Sequence, residues 1–277
     1  MNKALKYFLL ILLVVIIVLA LIIANAIYGN PYSKAKAKGV VNKYLMENYY
    51  DTDFSIYDIF YNFKDGYYHA EIISPTSIDS HFDIAVSRNK IVYDMYEDSV
   101  LSGWNTWERL DNAYREMTDE VLEGKDFPYD SEIAFGSIVT LEDVAEDDFA
   151  SPNYGIKLSE LELDEDYDIK QLATTAGQIV FYAEDEEITF ERASEILLVL
   201  KDEFDRADVP FYAIDFVLEK PRKENGTPSD DDSSIHTANF LYDDIYADSL
   251  AERIEQNHQL LMDYYDEQDE LHKKENE

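Results

Sequence analysis

The stretch Tyr61-Asn62-Phe63-Lys64-Asp65-Gly66-Tyr67-Tyr68-His69-Ala70 decides how the first folded part of the chain is built. Aromatic residues flank Lys64-Asp65-Gly66, a turn in which Gly66 supplies the positive φ that a tight reversal needs. Upstream, Phe54, Ile56, Asp58 and Phe60 alternate with Ser55, Tyr57, Ile59 and Tyr61, a strand apolar on both faces. Downstream, a second strand runs from Tyr67 to Ser74 and stops at Pro75. Phe82, Ile84 and Val86 alternate with Asp83, Ala85 and Ser87, and Arg88-Asn89-Lys90 turns the chain into a fourth strand, Ile91 to Tyr96. Ahead of the strands, Val40, Val41, Tyr44, Leu45 and Tyr49 recur at helical spacing and predict a helix over Tyr32 to Tyr49, weakened by Gly39. Residues 29–100 thus read as a helix plus a four-stranded antiparallel meander, one face of the sheet buried under the helix.

Outward toward the N-terminus, the chain carries no charge from Tyr7 to Ile27. Phe8 to Ala24 is Leu, Ile and Val on every helical face. With Asn25 to Tyr28 the run reaches about 20 residues, roughly 30 Å of helix and enough to cross the hydrocarbon layer. Residues 1–28 are therefore expected to be a transmembrane anchor lying in the lipid bilayer through residues 7–28. The alternative is a secretory signal: Lys3 and Lys6 form a basic n-region, and Ala24-Asn25-Ala26 offers a cleavage site near Ala26. Lys34, Lys36 and Lys38 rival Lys3, Lys6 and the α-amine in a charge count. A span that begins at once and is followed by a long domain still favours the N-terminus inside and the C-terminal domain outside.

Outward in the other direction, Trp104, Trp107, Leu110, Tyr114, Met117 and Val121 predict an amphipathic connecting helix within residues 101–130, its tryptophans read as core anchors. Residues 131–277 read as a second α/β unit. A strand or two around Ile133 to Val139 is followed by an acidic loop region and a short helix from Tyr167 to Ala176. A strand over Gln178–Ala183, a helix over Phe190–Ala207 with Thr189 as N-cap, and a strand over Phe211–Leu218 make a βαβ step, with an antiparallel arrangement as the alternative. Pro221 to Ser234 is a polar loop with Asn225-Gly226. A strand over His236–Tyr242 and a helix from Tyr246 to about Leu271 close the chain, with Tyr246, Leu250, Ile254, Leu261 and Tyr265 as the buried stripe. The fold class is α+β.

Composition then limits the chemistry. The 277 residues hold 23 basic and 59 acidic side chains, a net charge of −36, and Lys3 and Lys6 aside the rest carries −38. Such a chain is not a nucleic-acid binder working through a basic face. The lack of Cys excludes disulfides, thiol nucleophiles, cysteine zinc sites and a lipoprotein anchor. No His-Glu-x-x-His, glycine-rich phosphate loop or Gly-x-Ser-x-Gly elbow is present, so no catalytic residue, metal ligand set or cofactor is expected. His69 and His81 lie on neighbouring predicted strands and are read as partly exposed. The acidic runs 146–148, 164–166, 184–187 and 230–232 do not follow the EF-hand pattern and are read as solvated surface. Among 22 Tyr, the group Tyr57, Tyr61, Tyr67 and Tyr68 is the candidate partner-binding surface.

The hairpin segment Tyr61 to Ala70, preceded by Tyr44-Leu45 and Tyr49 and followed by His81-Phe82, resembles the YfjL-like proteins of Gram-positive bacteria. The resemblance covers mainly Tyr44 to Tyr96. It implies a membrane-anchored protein with an uncharacterised ectodomain and transfers no catalytic residue. The helix-plus-meander layout also looks like PepSY and cystatin-like modules, which implies binding or inhibition of partners outside the cell. The expected function is a non-enzymatic binding or regulatory module of the cell envelope, its partner an unknown envelope protein or polymer. The alternative is an envelope hydrolase using a pair of carboxylates.

Overall fold

The computed structural model describes residues 3–125, 127–141, 149–223, 229 and 233–275. The runs 146–148 and 230–232 and the pair Asn225-Gly226 lie outside them. The chain is α+β: a long apolar helix, a helix with a four-stranded antiparallel sheet, and a second four-stranded sheet with helices. It forms two compact units, one of residues 1–106 with 162–164, the other of residues 107–161 with 165–277.

In the first unit, α1 (Lys3–Tyr28) ends at Gly29 and α2 (Pro31–Asn48) begins two residues later. Asn30 caps α2, its Oδ1 accepting from Ser33 N–H at 2.8 Å, and Pro31 sits where a missing N–H has no consequence. Strands β1 (Ser55–Asn62), β2 (Tyr67–Ile73), β3 (His81–Ser87) and β4 (Lys90–Asp94) pair in that order, all antiparallel. Ala37, Val41 and Leu45, spaced by one turn, bury against Ile59, Ala70, Ile72, Phe82 and Ile84. The two apolar faces of β1 have a local cause. The register shifts between Ile56 and Asp58, so Tyr57 is an extra residue. That bulge brings Ile56 and Ile59 to the same core face, where strict alternation would have separated them.

The far end of this sandwich is closed by Tyr49, Phe54, Phe82 and Tyr96, with ring centroids 5.1 to 5.6 Å apart. Asp94 Oδ2 accepts from Tyr44 Oη at 2.9 Å and Tyr49 Oη at 2.7 Å. Burial, then the Asp94 carboxylate, push the Tyr44 hydroxyl up to about 12 and raise Tyr49 as well. A phenol raised in the folded state contributes stability that is full below the unfolded value near pH 10 and lost as pH climbs through the folded one. Tyrosinate absorbance is therefore expected to rise in two stages, the later accompanied by melting of this unit. Tyr44→Phe with Tyr49→Phe should shrink the late stage.

Helix α3 (Trp104–Leu122) enters the second unit at Trp107 and supplies it with Tyr114, fully buried, whose Oη donates to the Pro210 carbonyl at 2.9 Å. Leu110 is buried as expected, and Met117 and Val121 pack on the core. Trp107 reaches the Ile138 carbonyl through Nε1 at 2.7 Å, but Trp104 is 42% exposed and is no core anchor. The sheet runs β5 (Ala134–Ile138), β6 (Gly177–Glu184), β7 (Ala213–Glu219), β8 (Ser234–Leu241). β6 and β7 are parallel, and the two outer pairs are antiparallel. The βαβ reading is thus the one adopted: α5 (Phe190–Ala207) crosses over from β6 to β7. It starts on the Thr189 cap and stops at Asp208, which takes left-handed φ.

A short α4 (Ile169–Ala176) precedes β6, and α6 (Leu250–Glu275) ends the chain. Leu250, Ile254 and Leu261 are buried. Tyr246 and Tyr265, assigned to the same stripe, are instead exposed; Tyr246 precedes the helix and lies under the Arg253 guanidinium, 3.6 Å from its ring centre.

Candidate functional site

The turns β1–β2 and β3–β4 lie at one end of an antiparallel meander, and α1 hands over to α2 at that same end. Tyr61 and Tyr68 face each other across β1 and β2, ring centroids 5.1 Å apart. They cup Gly29, whose φ is +66°, and a Cβ there would stand 2.5 Å from Tyr68 Oη and 2.9 Å from Tyr61 Cβ. Tyr68 Oη accepts from Asn30 N–H at 2.9 Å and donates to the Asn30 carbonyl at 3.2 Å. The end of α1 is thereby fastened to the sheet through a residue that must be glycine.

Beside this joint lies a groove of about 690 Å³. Its walls are the first turns of α2 with Tyr32 and Lys36, the β1–β2 turn with Tyr67 and Tyr68, and the β3–β4 turn with Arg88. Asp65 also lines it. Burial would raise that carboxyl, but the Tyr67 N–H at 2.8 Å and His69 outweigh it and hold Asp65 below the usual carboxylate value. Of the candidate tyrosines, the fold gathers Tyr61, Tyr67 and Tyr68 at this end. Tyr57, the bulged residue, stands alone and 72% exposed. Lys36, Arg88 and Tyr32 were not singled out by sequence reasoning, because only the folding of two turns against a helix places them on one groove.

The outer face of the first sheet holds a polar cluster. His69 is only 6% exposed, so its expected partial exposure does not hold. Its ring stacks on Phe60 at 5.4 Å, its Nε2 hydrogen-bonds Asp65 Oδ2 at 2.9 Å, and its Nδ1 hydrogen-bonds Tyr93 Oη at 3.2 Å. His69 pairs with Ala85 while exposed His81 pairs with Ile73, four residues further along β2. Asp83 stands between their register positions. Burial raises its carboxyl, and the two histidines only partly oppose this. A carboxyl raised by folding works against stability at neutral pH, and that penalty vanishes as pH falls below the unfolded value near 4. Asp83→Asn is therefore expected to raise the melting temperature by about a few degrees at neutral pH and not at pH 3.

In the second unit, Asp215 is the carboxylate that the sequence could have flagged, alone in the otherwise apolar run Ala213 to Leu218. β7 and β8 change register around it, and Asn239 takes φ +51° opposite. Asp215 Oδ1 accepts from Asn239 N–H at 2.7 Å and Oδ2 from Gln178 Nε2 at 3.0 Å, yet burial still raises its carboxyl. A second groove of about 570 Å³ lies beside Lys170, Asp208 and Tyr242.

Two acidic runs read as solvated surface are partly structural. Asp185 binds Glu187 N–H and the Arg192 guanidinium, both near 2.8–2.9 Å. Asp164 and Asp79 exchange backbone N–H to carboxylate bonds at 3.1 and 2.9 Å, which ties residues 162–164 into the first unit. Among the described residues, no group of three or more His, Asp or Glu is placed to hold a metal ion.

An apolar N-terminal helix, a helix-on-meander unit and a second mixed-sheet unit define a two-domain α+β protein. Two family models match it: the YfjL-like N-terminal domain over residues 4–95 and the YfjL-like C-terminal domain over residues 113–255. The chain belongs to the YfjL-like family. No curated protein matches it. One solved structure, a DUF5037 family protein from Ruminococcus gnavus, is similar at 15% identity, covering 68% of this chain and 74% of that one, with a TM-score of 0.19. A likeness that slight carries no argument.

Proposed function

We propose that the chain is a single-pass membrane protein, held by α1 with the residues from Gly29 onward outside the cytoplasm. In this reading it binds a protein or polymer of the cell envelope and performs no chemistry of its own. The observation that carries the reading is the joint at Gly29. A helix long and apolar enough to cross a membrane runs, with two residues between, into a second helix, and Tyr61 and Tyr68 clasp the connection. A flexible tether would serve a domain that only needs to stay nearby, whereas a clasped joint holds a binding surface at a set height.

Full-length chain should stay in the membrane pellet through alkaline carbonate, and protease added to intact cells should digest the C-terminal part. Release by carbonate would point to cleavage near Ala26, and full protection would place the domain inside. A photoreactive residue at Tyr57 or Tyr67 should trap an envelope partner in whole cells. The raised Asp83, flanked by two histidines, favours the alternative of a carboxylate-dependent hydrolase. Under the binding reading, Asp83→Asn keeps the crosslink and the phenotype of the wild type; loss of the phenotype with the crosslink kept would favour the hydrolase.

A further inference from the structure

Cations are scarce in this chain, and most that the structure describes in the second unit lie against a carboxylate. Arg192, Arg206, Lys170 and Lys201 all do so. The first unit breaks that pattern: among its described lysines and arginines beyond α1, only Lys34 and Lys43 lie against a carboxylate, and the groove at the α1–α2 joint gathers two of the others. Lys36 sits 4.6 Å over the Tyr32 ring, and neither Lys36 nor Arg88 has a carboxylate at ion-pair distance among the described residues. Asp65, the groove's own carboxylate, is turned to Tyr67 N–H and His69. The imbalance is also regional. Residues 29–106 hold seven basic and eleven acidic side chains, net −4, against 14 and 48 in residues 107–277, net −34.

Arg88 occupies an unfavourable backbone position. The β3–β4 turn puts Arg88 at φ 49° and Asn89 at φ 64°, the pair of left-handed residues that a two-residue hairpin needs. Asn suits that conformation because its short polar side chain bonds locally; an arginine gains no such bond and is strained there. An arginine standing where Gly or Asn would fold better is a candidate for use. Height adds the last constraint. Lys36 follows Tyr28 by eight residues of mostly helical chain, so it lies within about 12 Å of the end of the span. The polar layer of a bilayer begins at the hydrocarbon edge and is roughly 5–8 Å deep. A lysine side chain covers the remaining distance.

We propose that this groove binds the phosphate of an anionic phospholipid headgroup, with Lys36 and Arg88 as its two cationic walls. The proposal rests on the membrane-anchored reading and specifies one ligand class for it. Two cations near a membrane surface are worth on the order of 30-fold in affinity for an anionic lipid.

The test uses full-length chain in phosphatidylcholine nanodiscs carrying a minority of phosphatidylglycerol with a photoreactive headgroup. Crosslinks are expected on the peptides around Lys36 and Arg88. They should fall on the order of 30-fold in Lys36→Ala with Arg88→Asn, and stay unchanged in Lys201→Ala. Arg88→Asn alone is expected to melt no lower than the wild type, so its loss of crosslinking reports binding and not unfolding. Equal labelling by a photoreactive phosphatidylcholine, or an equal drop in Lys201→Ala, would overturn the proposal. Displacement of the lipid by millimolar glycerol phosphate or inorganic phosphate would overturn the lipid as occupant and leave a soluble phosphate in its place. Carbonate release of the wild type from native membranes would remove the anchored reading by itself, whatever the nanodiscs show.

Discussion

Phe216→Ala is expected to destabilise the second unit by about 3–5 kcal/mol, the usual result of deleting a large buried ring. Phe216 is 0% exposed on the central strand β7. It stands opposite Phe181 on the parallel strand β6 and Thr237 on the antiparallel strand β8. Phe181 is fixed in turn by Phe127, at 5.6 Å edge to face. A cavity at this position has strands on both sides, and their hydrogen-bonded ladders keep the backbone from collapsing into it. Urea titration should move the midpoint of the second unit and keep its slope. Leu260→Ala, at an exposed position on α6, should change stability by no more than about 0.5 kcal/mol. A loss below about 1 kcal/mol in Phe216→Ala would mean that the core is far looser than these contacts imply.

Gly29→Ala should be the most damaging single methyl in the first unit. Its φ of +66° costs an L-residue about 1–2 kcal/mol, and the new Cβ would stand 2.5 Å from Tyr68 Oη and 2.9 Å from Tyr61 Cβ. Relieving that overlap adds about 1–3 kcal/mol, because both rings are held by their strands. The pair of hydrogen bonds between Tyr68 and Asn30 is the contact that gives way first. Limited proteolysis should therefore cut near Tyr28 to Pro31 much faster, with a lower unfolding midpoint for the first unit. Gly39→Ala offers the opposite result in the same helix pair. Nothing lies within 4 Å of a Cβ there, so replacing a mid-helix glycine should stabilise α2 by about 0.5–1 kcal/mol. If both substitutions behaved alike, the clasp at Gly29 would not exist.

The two outcomes show how differently the parts of this chain can be read. The long apolar N-terminal helix, the α2 stripe and the four strands of the meander were legible because each depends on residue composition or spacing along one segment. Thr189 capping α5 and the turn at Gly66 were legible for the same reason. The second sheet was legible in its elements and in the βαβ step that sets β6 parallel to β7, but not in the exposure of Trp104 and Tyr246. Those depend on which neighbour reaches a side chain, and no local period records that.

The candidate groove was the least legible feature. Tyr67 and Tyr68 stood out as aromatic, yet Tyr68 turns out to clasp Asn30, and the extra residue at Tyr57 sets that side chain apart from the group. Lys36 and Arg88 are ordinary cations fifty-two positions apart in the chain, and they share a wall only because a helix start and a hairpin turn meet.

By itself the sequence determined a membrane-length apolar helix, an α+β chain and an acidity confined to the residues beyond that helix. These are sums and periods over one dimension, which burial and hydrogen bonding along each segment then realise. Only the tertiary structure decided that Gly29 is clasped and that His69 is buried. It also set Lys36 and Arg88 on one groove with no carboxylate at ion-pair distance among the described residues. Each of those follows from long-range register, where a single bulge or a two-residue turn changes which side chains meet.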